Sequence, residues 1–198
     1  MLLVVCGPSG AGKGALTDLI TRQDRRITRV PSCTTREPRA DETDGVDYHF
    51  LSEDQFRTFQ AQGDTFGGTR KMGFVYSLRK SQILRAMSRS PIVLVETDLP
   101  GVAELKTAFR DVLAVFISAP STDDLLDRLR KRNRDRPEEV AERMADSARI
   151  LACPPIPPCD KVIVNREVGQ SLIEFRSLLD DFCASLVDRA VNVHGAGS

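Results

Sequence analysis

No stretch of the chain approaches the roughly 18 consecutive apolar residues that a membrane-spanning helix requires. The opening MLLVVC is too short for the apolar region of a secretory signal and has no basic residues before it, so a cytoplasmic protein is expected. Histidine is scarce, with two residues, and the five cysteines (Cys6, Cys33, Cys153, Cys159, Cys183) are odd in number and irregularly spaced. That usage does not suit a disulfide framework. Cys153 and Cys159 bracket PPIPP with no second pair nearby, so no zinc site is expected. An excess of charge of one sign is also missing. Lys+Arg and Asp+Glu both count 28, which gives no argument for nucleic acid or membrane as a partner. No internal repeat is present.

What is present suits a packed core. The chain has 198 residues, 41% of them hydrophobic, enough for one domain or for one core carrying inserted lobes. Leu2–Cys6 is a short continuous apolar run ending at glycines, as a buried parallel strand would be. Residues 91–98 (PIVLVETD), 111–118 (DVLAVFIS) and 161–165 (KVIVN) read the same way. Helical patterns fall between them at 81–87 and 102–109, and a last helix is expected over about 171–187. Strands alternating with helices predict a parallel α/β sheet covered on both faces. Two stretches break the rhythm. Residues 31–80 are polar, rich in Gly, Thr and Arg, and lack a strong helix or parallel-strand period. Residues 119–150 form a highly charged helical segment around RLRKRNRDRPEEVAERM, with Pro137 in its middle. Residues 190–198 are expected to be disordered.

The first strand runs into CGPSGAGKGA, Cys6 to Ala15. The pattern G-x-x-x-x-G-K-[ST] after a strand and before a helix cradles phosphates, and its last hydroxyl helps to hold Mg²⁺. Gly7, Gly12 and Lys13 are in place, and Ala15, Leu16, Leu19 and Ile20 follow at helical spacing. A helix N-terminus there would aim free N–H groups and its positive dipole end at a phosphate. Gly14 stands where Ser or Thr belongs. Thr17, a helical turn further on, should point away from the phosphates.

Within SCTTREPRADETDGVDYHF (Ser32–Phe50), Arg36 and Arg39 lie three apart with Pro38 limiting the backbone between them, and Tyr48 follows. Two arginine forks and a phenol could grip a second phosphate group, or could be incidental to a surface loop. The run RLRKRNRDR taken alone marks a solvated helix face; beside a phosphate loop it could supply charge to a transferring phosphoryl group.

These segments together resemble the guanylate kinase family. GPSGAGKG is similar to its phosphate loop, and S-x-T-T-R-x-P-R followed by E-x-D-G-x-D-Y-x-F is similar to its acceptor-phosphate segment. Phe56, Gly63, Gly73, Tyr76, Glu96-Thr97-Asp98, Gly101, Ala119-Pro120-Ser121, Arg132, Arg143 and residues 160–165 continue the similarity, which covers about 2–185. The resemblance implies an α/β fold: a P-loop NTPase core with a parallel sheet flanked by helices (1–30, 81–118 and 151–189), an inserted substrate-binding lobe (31–80) and a helical lid (119–150).

The activity it implies is ATP-dependent phosphoryl transfer to a phosphorylated acceptor, a nucleoside monophosphate such as GMP, with Mg²⁺ held mainly by phosphates and water. Gly7, Pro8, Ser9, Gly10, Ala11, Gly12, Lys13, Gly14 and Ala15 would surround the ATP phosphates, and Asn165 would border the adenine. Ser32, Arg36, Arg39, Tyr48, Tyr76, Glu96 and Asp98 would hold the acceptor. Lys13, Arg36, Arg132 and Arg143 would act in catalysis, with Arg132 also on ATP. Two further positions depart from the family. Gly67 stands where its members carry the Glu that reads guanine, and Leu78 where they carry a hydroxyl facing the base. A kinase for another small phosphate, such as ribose bisphosphate, is one alternative. A non-catalytic phosphopeptide-binding module is the other, but that reading predicts loss of Lys13 and the lid arginines, which this chain keeps.

Overall fold

In the computed structural model, residues 1–132, 137–152 and 158–195 are described, without the side chains of 132, 137–139, 152 and 190–195. Five parallel strands form the central sheet: β1 (Leu2–Cys6), β2 (Ile27–Arg29), β7 (Ile92–Glu96), β8 (Val112–Ser118) and β9 (Lys161–Val164), in the order β2-β7-β1-β8-β9. Four of these are the strands expected from apolar runs. β2 escapes that test because three residues, one of them arginine, make no run.

The alternation of β1 explains why both faces are covered. Leu3 and Val5 point into a cluster with Leu16 and Ile20 of helix α1 (Lys13–Gln23) and Phe175 and Leu179 of α7 (Val168–Gly195). Leu2, Val4 and Cys6 point into a second cluster with Ile83 of α3 (Lys80–Met87) and with Val102 and Leu105 of α4 (Leu99–Ala108). α4 begins three residues before the expected 102, because Asp98 caps it through Gly101 N–H and Pro100 sits in its first turn. β7 therefore stops at Glu96. The backbone of α7 is helical to Gly195, into the segment expected to be disordered; residues 196–198 lie outside the described residues.

Residues 31–80 hold a second, four-stranded sheet in the order β4-β3-β6-β5, built from β3 (Cys33–Thr34), β4 (His49–Phe50), β5 (Thr65–Lys71) and β6 (Phe74–Arg79). The β5–β6 hairpin turns through Met72 and Gly73, both at positive φ (53° and 80°), as two-residue turns that match strand twist require. Helix α2 (Glu53–Ala61) is fixed by a reciprocal cap. Ser52 Oγ accepts from Gln55 N–H, and the Gln55 side chain accepts from Ser52 N–H.

The charged segment forms α5 (Thr122–Arg132) and α6 (Pro137–Ala152). Pro137 opens the second helix, where its missing N–H costs nothing. Leu125 and Leu129 are buried, so among the described residues α5 turns one face inward.

Candidate active site

β1 ends at Cys6, and the loop that follows is shaped by three glycines. A Cβ on Gly7 would stand 2.0 Å from Ile117 O, and one on Gly12 would stand 2.3 Å from Asn165 Nδ2. Both also have positive φ, 135° and 88°, so no side chain fits either place. Gly12 caps α1 without a side-chain bond, which leaves the first-turn N–H groups to an anion. Lys13 Nζ donates to Gly7 O (2.8 Å) and Pro8 O (2.9 Å), folded against the loop that it would serve.

Gly14 differs from these glycines. Its φ is not in the left-handed region, and an added Cβ would meet nothing within 4 Å. The missing hydroxyl is therefore a chemical loss with no backbone cause. Thr17 is fully buried, and its hydroxyl is taken up by protein acceptors, Glu96 Oε1 at 2.8 Å and Gly14 O at 3.1 Å.

A cavity of about 670 Å³ opens beside the loop. Gly7, Ser9, Gly10, Gly12, Lys13, Gly14 and Ala15 line it, while Pro8 and Ala11 are buried behind them. The far wall carries Ser32, Arg36, Arg39, Tyr48 and Tyr76 from the second sheet and its loops, and Glu96 and Asp98 come from the end of β7. Arg143 of α6 reaches the same cavity, where Nη1 donates to Ser9 Oγ at 3.4 Å. The Arg132 side chain lies outside the described residues. One cavity thus joins the phosphate loop to the arginine–tyrosine cluster.

Asn165, like Pro8 and Ala11, is an expected binding residue that does not line the cavity. It is 1% exposed, and its Nδ2 donates to Ala11 O at 2.8 Å, which braces the loop from behind. Its own carbonyl accepts from Arg128 Nη2 (2.8 Å), and Arg128 lines the cavity instead. Arg128 was within the charged run, but sequence alone gave no means of telling it from its neighbours.

Arg36 and Arg39 are held by the Glu of the E-x-D-G motif, a residue given no role of its own from sequence alone. Glu42 accepts from Arg36 Nη2 with both oxygens (2.9 Å each) and from Arg39 N–H (2.9 Å). The guanidinium of Arg36 also lies 5.7 Å from the Tyr48 ring centroid and 5.8 Å from that of Phe50. Burial works against the charge on Arg36, yet Glu42 and Tyr76 outweigh it and raise its pKa. Burial also pushes the Tyr48 phenol up, so it stays a donor. Glu96 accepts from Arg29 Nη2 at 3.0 Å as well as from Thr17. Asp98 Oδ2 faces Lys71 Nζ at 3.8 Å.

The two departures in the second sheet have different causes. Gly67 has φ 73° at a register shift, where it and Thr69 pair with Ser77 and Tyr76. Its N–H donates to Glu104 Oε2 of α4 at 2.8 Å. A bulge of this kind takes glycine because of its left-handed φ. Leu78 does not face the cavity: it is 1% exposed and belongs to the cluster that contains Phe66, Val30 and Ile83. Ser77, one residue earlier, lines the cavity instead and brings a hydroxyl to it. Among the described residues, no helix is long and apolar enough to cross a membrane, and no cluster of three or more His, Cys, Asp or Glu could hold a metal.

The family described as guanylate kinase matches residues 1–182. A guanylate kinase of Alkalilimnicola ehrlichii is 33% identical over 177 residues, 89% of this chain and 86% of that protein. Another, from Granulibacter bethesdensis, is 33% identical over 180 residues, 90% and 83% respectively. The crystal structure of guanylate kinase from Anaplasma phagocytophilum superposes with a TM-score of 0.69 at 21% identity, covering 91% of this chain and 85% of the other, and so agrees in fold. A phosphate loop, an inserted sheet carrying an arginine–tyrosine cluster and a helical pair over the cavity agree with these matches, and the chain belongs to the guanylate kinase family of nucleoside monophosphate kinases.

Proposed function

We propose that this protein transfers the γ-phosphoryl group of ATP to the phosphate of a nucleoside monophosphate, giving two diphosphates, and that GMP is accepted with weak discrimination. The observation that carries this reading is the single cavity with Lys13 on one wall and Arg36, Arg39, Tyr48 and Tyr76 on the other. An acceptor phosphate is already a nucleophile, so positioning and charge do most of the work. In this reading the loop N–H groups and Lys13 hold the donor phosphates. Arg36, Arg39 and the two phenols hold the acceptor phosphate. Arg143 and Arg132 complete the positive surround when α5 and α6 close and exclude water. Asn165 keeps the loop in shape and makes no contact with the base.

Mg²⁺ fits this site as a hydrated ion brought by ATP. Gly14 offers no ligand but leaves open space within 4 Å of where its Cβ would be, room for water in place of a hydroxyl. Bound there, the ion would neutralise charge on the phosphates.

Weak discrimination follows from the base side. Gly67 has no side chain, so base reading falls to Ser77, Glu96 and Asp98. The test is ADP formation from ATP and Mg²⁺ across GMP, dGMP, AMP, UMP, dTMP and ribose bisphosphate. Turnover of none of them would overturn the kinase reading. A preference for GMP of about 10³-fold or more would overturn weak discrimination.

A further inference from the structure

Cys6 and Cys159 are far apart in sequence but lie with their sulfurs 3.1 Å apart. Both are free thiols, and both are buried, at 0% and 5% exposure. Cys6 ends β1 and is bonded directly to Gly7 of the phosphate loop. Cys159 is held from its other side, where Asp160 N–H donates to Ala114 O, Asp160 Oδ2 accepts from Ala114 N–H, and Oδ1 accepts from Lys106 Nζ. Neither sulfur has a part in the phosphoryl-transfer reading. We propose that Cys6 and Cys159 are a reversible redox pair whose disulfide disables the phosphate loop.

The chemistry divides between the two sulfurs. The Cys6 S–H hydrogen bond and Lys106 favour thiolate at Cys159 against the opposing effect of burial. The hydrogen bond to Cys159, and then burial, push the Cys6 thiol up, so Cys6 keeps its proton. A peroxide is a suitable oxidant. The Cys159 thiolate attacks one peroxide oxygen, the O–O bond breaks, and the departing hydroxide takes a proton to become water. Cys159 is then a sulfenic acid. Cys6 loses its proton and attacks the Cys159 sulfur, and the hydroxyl leaves with that proton as a second water. The thiol pair gives up two electrons, and the peroxide takes both. A small dithiol reverses the reaction by exchange.

The consequence for the loop is geometric. Closing the sulfurs from 3.1 Å to the bonded distance of about 2.05 Å draws the two backbones together. Gly7 has no slack to absorb that movement, since it packs directly against Ile117 O, and its own carbonyl accepts from Lys13 Nζ. The shift therefore reaches Lys13.

The test is peroxide treatment of the full chain, followed by alkylation under denaturing conditions and peptide mass mapping. A peptide joining Cys6 to Cys159 is expected in wild type and in Cys153→Ser, and is absent in Cys159→Ser and Cys159→Ala. ATP-analogue binding by wild type should fall on oxidation and return with a dithiol, while both Cys159 variants should keep it under peroxide. Mapping and analogue binding do not depend on which acceptor is used, so failure of the kinase reading would not be mistaken for failure here. Free alkylation of Cys6 after treatment, or a bridge from Cys159 to Cys153 instead, would overturn the pair. Equal loss of binding in the Cys159 variants would overturn its link to the loop.

Discussion

Glu42 and Arg36 form a buried pair, with Nη2 2.9 Å from each carboxylate oxygen and each side chain 9% exposed. The charge that would grip an acceptor phosphate is therefore also part of the packing. Removing one member of a buried pair leaves the other unpaired, at a cost of about 3–5 kcal/mol. Arg36→Ala should raise the acceptor KM and also lower Tm by several degrees. Arg39 is more exposed, and its guanidinium is 3.9 Å from Glu42. Arg39→Ala should raise the acceptor KM at nearly unchanged Tm. Neither should move the ATP KM comparably; equal effects on both substrates would show that the two walls of the cavity are wrongly assigned.

Lys13 is the test of the donor side. In wild type its ammonium rests on the Gly7 and Pro8 carbonyls, so Lys13→Met leaves the loop without a charge but with much the same volume. kcat should fall by about 10²–10³, the scale seen when one preorganised transition-state donor is removed. Tm should change little. Near-normal kcat in a folded Lys13→Met protein would remove the kinase reading.

The sequence and the structure agree where one local signal decides the outcome. The apolar runs of β1, β7, β8 and β9 and the Gly–Lys spacing of the loop needed nothing from elsewhere in the chain. β2 was too short for periodicity to register, although three parallel pairs with β7 suffice to hold it. Helix α2 announced itself in Ser52 and Gln55 as a capping pair, a signal present in residues 31–80 but passed over. The roles of Glu42, Arg128, Ser77 and Asn165 depend on which side of a packed element each side chain takes, and that is settled only by tertiary contacts. Asn165 is the clearest case, since its place at the end of β9 is legible in the sequence but its hydrogen bond to Ala11 O is not.

Gly14 and Gly12 separate the chemical and steric uses of glycine in one loop. Gly14→Ser places a hydroxyl in open space at ordinary φ, so the protein should fold as wild type and reach half-maximal rate at lower Mg²⁺. Acceptor preference should not change. Gly12→Ala puts a Cβ 2.3 Å from Asn165 Nδ2 at φ 88° and should abolish ATP binding. Both outcomes are read by Mg²⁺ titration of the rate and by binding of an ATP analogue. A Gly14→Ser protein as defective as Gly12→Ala would mean that the loop cannot accept a hydroxyl, and that water does not stand in for one here.

The base-side wall gives the most discriminating comparison, because three neighbouring residues should fail in three different ways. Ser77 lines the cavity and Leu78 fills the core, so Ser77→Ala should change the acceptor's KM or the order of acceptors while Tm stays close to wild type. Leu78→Ala should do the reverse: a loss of about 2–5 kcal/mol of stability from the cavity left behind, with the acceptor order kept in whatever protein folds. Gly67→Glu would appear to restore a reader of the base, but its left-handed φ of 73° makes any side chain strained there, at about 1–2 kcal/mol. Introducing it also sets a second carboxylate near Glu104, which already takes the Gly67 N–H. Gly67→Glu should therefore lower Tm without producing a strong preference for GMP. A Gly67→Glu protein of unchanged Tm that prefers GMP by about 10³-fold would show that the bulge yields readily and that the missing carboxylate alone had set the acceptor range.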